Sequence, residues 1–160
     1  MIGRLWDTVK NLDDKRLQHP SSDLKDIKLE YEYDVFISYA TNDQEEANKI
    51  YLELSRKGLK CFLSGKTLKT GDKFTEEIRK ALLKSREVCY LFTPKSKTNL
   101  WTSLELGAAW VLGKRIVPIN HRIDFTELAD LPGMLAFYQG KDFSDLRTYV
   151  NEVKKRKESG

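Results

Sequence analysis

The stretch YDVFISYATND, residues 33–43, decides the fold. Its first eight residues are mostly β-branched or aromatic, which is typical of a buried strand. The polar residues that follow indicate where this strand ends. The side chain of Thr41, Asn42 or Asp43 can cap a helix there, and the glutamates in the next turn suit the positive end of the helix dipole. We therefore expect a strand followed directly by a helix.

The same alternation of strand and helix continues along the chain. Further strands are predicted at residues 59–63, 88–93, 115–120 and, weakly, 134–138, and helices at 44–57, 74–83, 100–112 and 143–155. Strands that alternate with helices of this length predict an α/β fold, with a central parallel β-sheet of about five strands and helices on both faces. Right-handed crossovers bring the loops after the strands to one edge, where open α/β sheets bind ligands.

The first part of the chain has a different pattern. Residues 1–32 carry apolar side chains at helical spacing for one or two turns, before the polar stretch HPSS interrupts them. This pattern predicts a short helical arm and a linker, not a second domain. The globular domain is predicted at residues 33–157.

Composition excludes several classes of protein and site. No apolar run approaches the roughly 20 residues that span a bilayer, and the N-terminus resembles neither a signal nor a transit peptide. We therefore expect a cytoplasmic protein. The basic residues 154–157 favour a solvated helix end over contact with nucleic acid or a membrane. Two isolated cysteines and two remote histidines predict no metal site.

Four stretches, in order, resemble the Toll/interleukin-1 receptor (TIR) family over about residues 33–150. Residues 33–43 resemble the first box of TIR domains, and residues 63–74 (LSGKTLKTGDKF) resemble the BB loop. Residues 100–110 (LWTSLELGAAW) resemble the helix that carries the catalytic glutamate in NAD-cleaving members, and residues 115–119 resemble the fourth strand. The resemblance implies a flavodoxin-like TIR fold.

The BB-loop stretch departs from one branch of the family. Animal receptor and adaptor TIR domains have an acidic-x-x-Pro-Gly pattern in this loop, whereas this chain has KTLKTG at residues 66–71. The departure weakens a receptor-signalling role and favours the bacterial and enzymatic branches.

Glu105 is the residue on which the functional hypothesis depends. It follows Trp101 by four residues on a predicted helix, so both side chains project from one face. From the residues alone, Glu105 fits a surface acid as well as a catalytic one, and the resemblance favours catalysis. Breaking the nicotinamide–ribose bond of NAD+ creates positive charge on the sugar, which a fixed carboxylate stabilises. Nicotinamide leaves from a cationic state, so no second acid is required.

The resemblance also implies the lining of the NAD+ site. It places Ser38, Tyr39 and Ala40, at the end of the first strand, beside the loop residue Lys66. Lys66 either contacts a phosphate or is solvated, and Trp101 either stacks on a substrate ring or packs in the core. The sequence has neither a GxGxxG nor a Walker motif. NAD+ is therefore expected as a substrate, with no bound cofactor.

Three functions are compatible with these residues. The first is an NAD+ hydrolase or cyclase that releases nicotinamide and ADP-ribose or a cyclic ADP-ribose isomer. For this enzyme the resemblance implies active sites built by self-association, a role in bacterial anti-phage defence and a downstream effector that senses the product. The second is a non-enzymatic scaffold that acts through TIR–TIR contacts. The third is an enzyme similar to nucleoside deoxyribosyltransferases, which share the sheet and the glycosyl-transfer chemistry.

Overall fold

A computed structural model describes residues 30–64, 71–123 and 140–160, with the backbone alone for residues 71–75. The strands are β1 (Tyr33–Ser38), β2 (Cys61–Leu63), β3 (Ser85–Phe92), β4 (Arg115–Asn120) and β5 (Lys141–Asp142). The helices are α1 (Gln44–Arg56), α2 (Gly71–Leu83), α3 (Leu100–Val111) and α4 (Leu146–Ser159). In this part of the chain, no helix is long and apolar enough to cross a membrane.

The strands form one parallel sheet in the order β2-β1-β3-β4-β5. This is the flavodoxin-like order, in which the direction of winding reverses between β1 and β3. The α/β fold and the five-stranded parallel sheet predicted from the sequence are confirmed. Ligands of such sheets bind outside the carboxyl ends of the strands, at the point of reversal.

Side chains alternate between the two faces of the sheet, and each face is covered by a pair of helices. One core cluster joins α1 and α4 to residues of the central strands that include Val35, Ile37, Cys89 and Leu91. The second joins α2 and α3 to the alternate residues Phe36, Val88, Tyr90 and Phe92. Because both faces are buried, the sequences of β1 and β3 are nearly continuous runs of apolar residues.

The prediction that a side chain of Thr41, Asn42 or Asp43 caps the first helix is wrong. Asp43 occupies the N-cap position of α1, but its side chain makes no capping hydrogen bond. Its carboxylate accepts a hydrogen bond from Thr93 Oγ1 at 2.5 Å instead. The carboxylate therefore bonds to the residue that directly follows β3, and not to the backbone N–H groups of α1.

Two other predictions concern residues at the margins of the described ranges. The structure begins at residue 30, so the helical arm at residues 1–32 stays a prediction. The weak strand predicted at residues 134–138 lies outside the described residues, and the last strand observed is Lys141–Asp142. β3 begins at Ser85, three residues before the predicted start at Val88.

Candidate active site

Helix α3 begins at a well-defined cap close to the carboxyl edge of the sheet. Asn99 Oδ1 accepts hydrogen bonds from the backbone N–H groups of Trp101 at 3.0 Å and Thr102 at 3.2 Å. Such a side-chain cap satisfies donors that have no partner within the helix. The cap fixes the start of α3, so Glu105 lies in its second turn, one turn after Trp101.

The Glu105 side chain is buried, with 4% of the residue exposed. Its Oε2 atom accepts hydrogen bonds from Ser38 Oγ at 2.5 Å and from Ser64 Oγ at 3.1 Å. Ser38 ends β1 and Ser64 directly follows β2, so two adjacent strands supply the donors. Within the described residues, Oε1 has no hydrogen-bond partner and no cation pairs with the carboxylate.

Burial raises the pKa of Glu105 from its ordinary value of 4.5 to about 7, because water no longer stabilises the charged form. Hydrogen bonds from Ser38 and Ser64 oppose this rise, since they favour the carboxylate. The Trp101 indole acts in the same direction, although its Nε1 makes no hydrogen bond in the part of the chain that is described. The indole therefore acts on Glu105 as a nearby dipole and not as a hydrogen-bond donor.

Trp101 and Glu105 line a groove of about 520 Å³ between α2 and α3. Its walls are mainly apolar and include Ile78 and Leu82 from α2 and Leu104 from α3. A volume of this size is typical of small-molecule sites, which combine apolar walls with a few polar groups. Glu105 is a polar residue of this lining, and its Oε1 is buried and has no hydrogen-bond partner within the described residues.

The structure brings together only some of the residues predicted for the site. Ser38 bonds directly to Glu105, and Trp101 shares its groove. Tyr39 and Ala40 are buried, and Tyr39 packs in the core beneath α1 and α4. Burial and the negative charge of the Glu105 carboxylate both raise the pKa of the Tyr39 phenol, so the two side chains interact electrostatically. Lys66 lies outside the described residues.

Two residues at this site were not identified from the sequence. The sequence predicts only a loop at Ser64, in the stretch that resembles the BB loop, although Ser64 directly follows a strand and lies two residues after Phe62, on the same face of the sheet. Tyr90 pairs with Ser38 across β1 and β3 and is buried. Burial raises the pKa of Tyr90, and the Glu105 charge raises it further. Alternate residues of a strand lie on the same face of the sheet, and this pattern along β2 and β3 could have placed both residues beside Glu105.

A family model described as a TIR domain matches residues 35–156. The chain is 31% identical over 131 residues to a 2' cyclic ADP-D-ribose synthase of Acinetobacter baumannii, covering 79% of this chain and 47% of that protein. It is 28% identical over 134 residues to an NAD+ hydrolase of Theionarchaea archaeon, covering 81% of this chain and 40% of that protein. The chain thus spans less than half the length of these two curated relatives.

Solved structures give a consistent result for the fold. The chain is similar to the crystal structure of the TIR domain of a Toll-related receptor from Hydra magnipapillata, with a TM-score of 0.62 and 25% sequence identity. The match covers 76% of this chain and 98% of the Hydra domain. The two share a fold along nearly the whole of that domain.

Proposed function

The chain belongs to the TIR domain family, and on that premise we propose that it cleaves NAD+ at the nicotinamide–ribose bond. The products are nicotinamide and either ADP-ribose or a cyclic ADP-ribose isomer. The observation that carries the proposal is the Glu105 carboxylate, which is buried, paired with no cation of the described residues and lines a groove of ligand size. Two curated relatives are named as an NAD+ hydrolase and a 2' cyclic ADP-D-ribose synthase, and these names support cleavage of NAD+.

Glu105 acts through its charge. As the bond breaks, its electron pair moves to the pyridinium nitrogen, and neutral nicotinamide leaves without needing a proton. The ribose becomes a cation resembling an oxocarbenium ion, which the Glu105 carboxylate stabilises. Attack by water then gives ADP-ribose, whereas attack by a hydroxyl oxygen of the same molecule gives a cyclic product, and in both cases the attacking oxygen releases one proton. Burial strengthens the attraction, because little water screens it.

The two serines hold the carboxylate without neutralising it. Ser38 and Ser64 both donate to Oε2, so that the buried Oε1 has no hydrogen-bond partner among the described residues. A lysine or arginine in their place would cancel the charge that the sugar cation needs. Hydroxyl donors instead lower the pKa of Glu105 and keep a larger fraction of it ionised.

Trp101 is proposed to bind the leaving group. It lies one helical turn before Glu105 and lines the same groove. An indole ring offers a flat apolar face on which a pyridinium ring stacks, with a cation–π contribution while the ring is charged. Tyr39 and Ala40 are buried at the end of β1, and they and Lys66 stay weaker candidates for substrate contacts.

The proposed enzyme works as an assembly of TIR domains. Leu100, Leu104 and Val111 on α3 are 75%, 57% and 77% exposed, and apolar patches of this kind mark protein interfaces. The same patch supports the alternative of a non-enzymatic scaffold. A scaffold, however, has no use for a desolvated carboxylate, which costs stability. By analogy with the family, we place the reaction in cytoplasmic bacterial antiviral signalling, with an effector that senses the product.

Incubation with NAD+, followed by chromatography of nicotinamide, ADP-ribose and cyclic isomers, tests the proposal. Wild-type protein should release nicotinamide, and Glu105→Gln should lower the rate about 100-fold or more. Glu152→Gln is the control, because Glu152 lies on α4 and pairs with Lys141. The rate per protomer should fall on dilution. A folded wild type that releases no nicotinamide at high concentration, or a fully active Glu105→Gln variant, contradicts the proposal.

A further inference from the structure

Asp43 is a second buried carboxylate at the carboxyl edge of the sheet. It ends the turn Thr41–Asp43 that follows β1, and only 4% of the residue is exposed. A buried carboxylate is costly unless it accepts hydrogen bonds or pairs with a cation. Asp43 leaves α1 without a side-chain cap and turns toward β3, where it bonds to Thr93. This tertiary bond, and not the helix, accounts for the acid at this position.

Thr93 connects Asp43 to the turn before α3 through hydrogen bonds of its hydroxyl group. Its Oγ1 donates to Asp43 Oδ2 at 2.5 Å and accepts from the backbone N–H groups of Lys95 and Ser96, each at 3.2 Å. A hydroxyl has a single hydrogen, so donation to Asp43 leaves the oxygen lone pairs for these two N–H groups. The Asp43 carboxylate therefore fixes the orientation of this hydroxyl from the turn that follows β1.

Ser96 connects this turn to the first residues of α3. Its Oγ accepts from the Thr93 N–H at 2.9 Å and donates to the Thr93 carbonyl at 3.0 Å. The Ser96 carbonyl accepts from the Asn99 N–H at 3.1 Å, and the Asn99 carbonyl accepts from Thr102 Oγ1 at 2.9 Å. Asn99 is the cap of α3. A continuous series of hydrogen bonds therefore runs from Asp43 to the start of the helix that carries Glu105.

Two connections thus join the end of β1 to α3. The direct one is the bond from Ser38 to Glu105 at 2.5 Å, and the indirect one runs through Asp43, Thr93 and Ser96. Lys95 supports the second, because its Nζ lies 3.8 Å from Asp43 Oδ1 and donates to the Asn42 carbonyl at 3.2 Å. A helix fixed at its start and again one turn later can neither slide nor rotate freely against β1.

We propose that Asp43 is a positioning residue, which sets the start of α3 relative to β1 and so holds Glu105 against Ser38. This inference rests on the proposed function for its kinetic consequence. Displacement of a catalytic group by a fraction of an ångström to one ångström lowers turnover by about tenfold to 100-fold. Asp43 touches no reacting atom, so substrate binding should change little.

Paired substitutions separate positioning from general stability. Asp43→Ala removes the acceptor and Thr93→Val removes the hydroxyl, and each should lower kcat about tenfold or more with KM nearly unchanged. Asp43→Asn retains an acceptor oxygen and Thr93→Ser retains the hydroxyl, so both should keep most of the wild-type kcat. The double variant Asp43→Ala/Thr93→Val should lose no more than either single variant, because both break one connection. Wild-type kcat in folded Asp43→Ala overturns the proposal.

A second measurement does not require NAD+ cleavage. Carbon-13 NMR of labelled glutamate carboxyl groups, with Glu105 assigned by its absence in Glu105→Gln, reports the pKa of Glu105. Because the bond from Ser38 lowers that pKa, its loss in Asp43→Ala should raise the titration midpoint above that of wild type and Asp43→Asn. If wild type is inert but the midpoint moves, the proposed function fails and the positioning role stands. An unchanged midpoint in folded Asp43→Ala overturns the positioning role, whether the wild type is active or inert.

Discussion

Glu87 and Glu105 are buried to the same extent at opposite edges of the sheet. Each residue is 4% exposed, Glu87 near the amino end of β3 and Glu105 on α3 near the carboxyl ends of the strands. Arg156 donates to both oxygens of Glu87 at 2.9 Å, and the Tyr149 hydroxyl donates to Oε1 at 3.0 Å. Glu105 has only hydroxyl donors, and they share one oxygen.

The difference shows that the partners of a buried carboxylate, more than its burial, indicate its role. A guanidinium cancels the charge of Glu87 and occupies both of its oxygens, which ties β3 to α4. The serines leave Glu105 with its charge and with one oxygen unpartnered among the described residues. A carboxylate whose pKa is raised by burial, in a groove, is a candidate for chemistry.

The largest expected effect concerns the stability of Glu105→Gln. Between pH 4.5 and about 7 the folded wild type holds a proton on Glu105 that the unfolded chain releases, so wild-type stability falls as pH rises through this window. Glutamine does not titrate. Relative to wild type, the variant should therefore gain about 3 kcal/mol of unfolding free energy between pH 4.5 and about pH 8. Urea denaturation at both pH values measures the gain, and parallel changes in the two proteins would contradict it.

Glu87→Gln should have the opposite effect on stability. Removal of the charge leaves Arg156 without its main partner, although 30% of the Arg156 side chain is exposed, so water recovers part of the loss. We expect the free energy of unfolding to fall by about 2 kcal/mol. Turnover per folded molecule should stay at the wild-type level. An unchanged denaturation midpoint would show that the pair with Arg156 contributes nothing.

Ser38→Ala should have a smaller effect, which activity measurements can follow. Loss of this donor raises the pKa of Glu105 further, so the acid side of the kcat/KM profile should move to higher pH. At pH 7 the loss in kcat/KM should be about tenfold, the scale of one hydrogen bond to a charged group. Ser103→Ala is the matched control, because Ser103 is exposed on the same helix and bonds to the Asn99 carbonyl. Equal losses in both variants would refute the role of Ser38.

The sequence was sufficient for the architecture and for part of the site. Local patterns predict the strand at residues 33–40 and the helix at residues 100–112, and the structure has them at Tyr33–Ser38 and Leu100–Val111. The four-residue spacing places Trp101 and Glu105 on one face, and both line the groove. Local patterns report periodicity well, because each element repeats its own geometry. The resemblance to TIR domains, and not a local pattern, implies that Ser38 lines the site at the end of the first strand.

Local sequence patterns do not predict contacts between residues that are far apart in the sequence. The bond from Ser64 to Glu105 joins residues 41 positions apart and depends on β2 lying beside β1. The capping prediction for Asp43 was wrong because Thr93, 50 positions away, takes its carboxylate. The nearly complete burial of Glu105 also depends on how α2 and α3 pack together.

The pH dependence of kcat/KM for nicotinamide release tests the central claim most directly, since the claim is that the ionised form of Glu105 stabilises the sugar cation. Activity should be full well above neutral pH and should decline as the pH falls through the Glu105 pKa of about 7. A profile that stays flat down to about pH 5, where a carboxyl group of this pKa is protonated, would contradict the account.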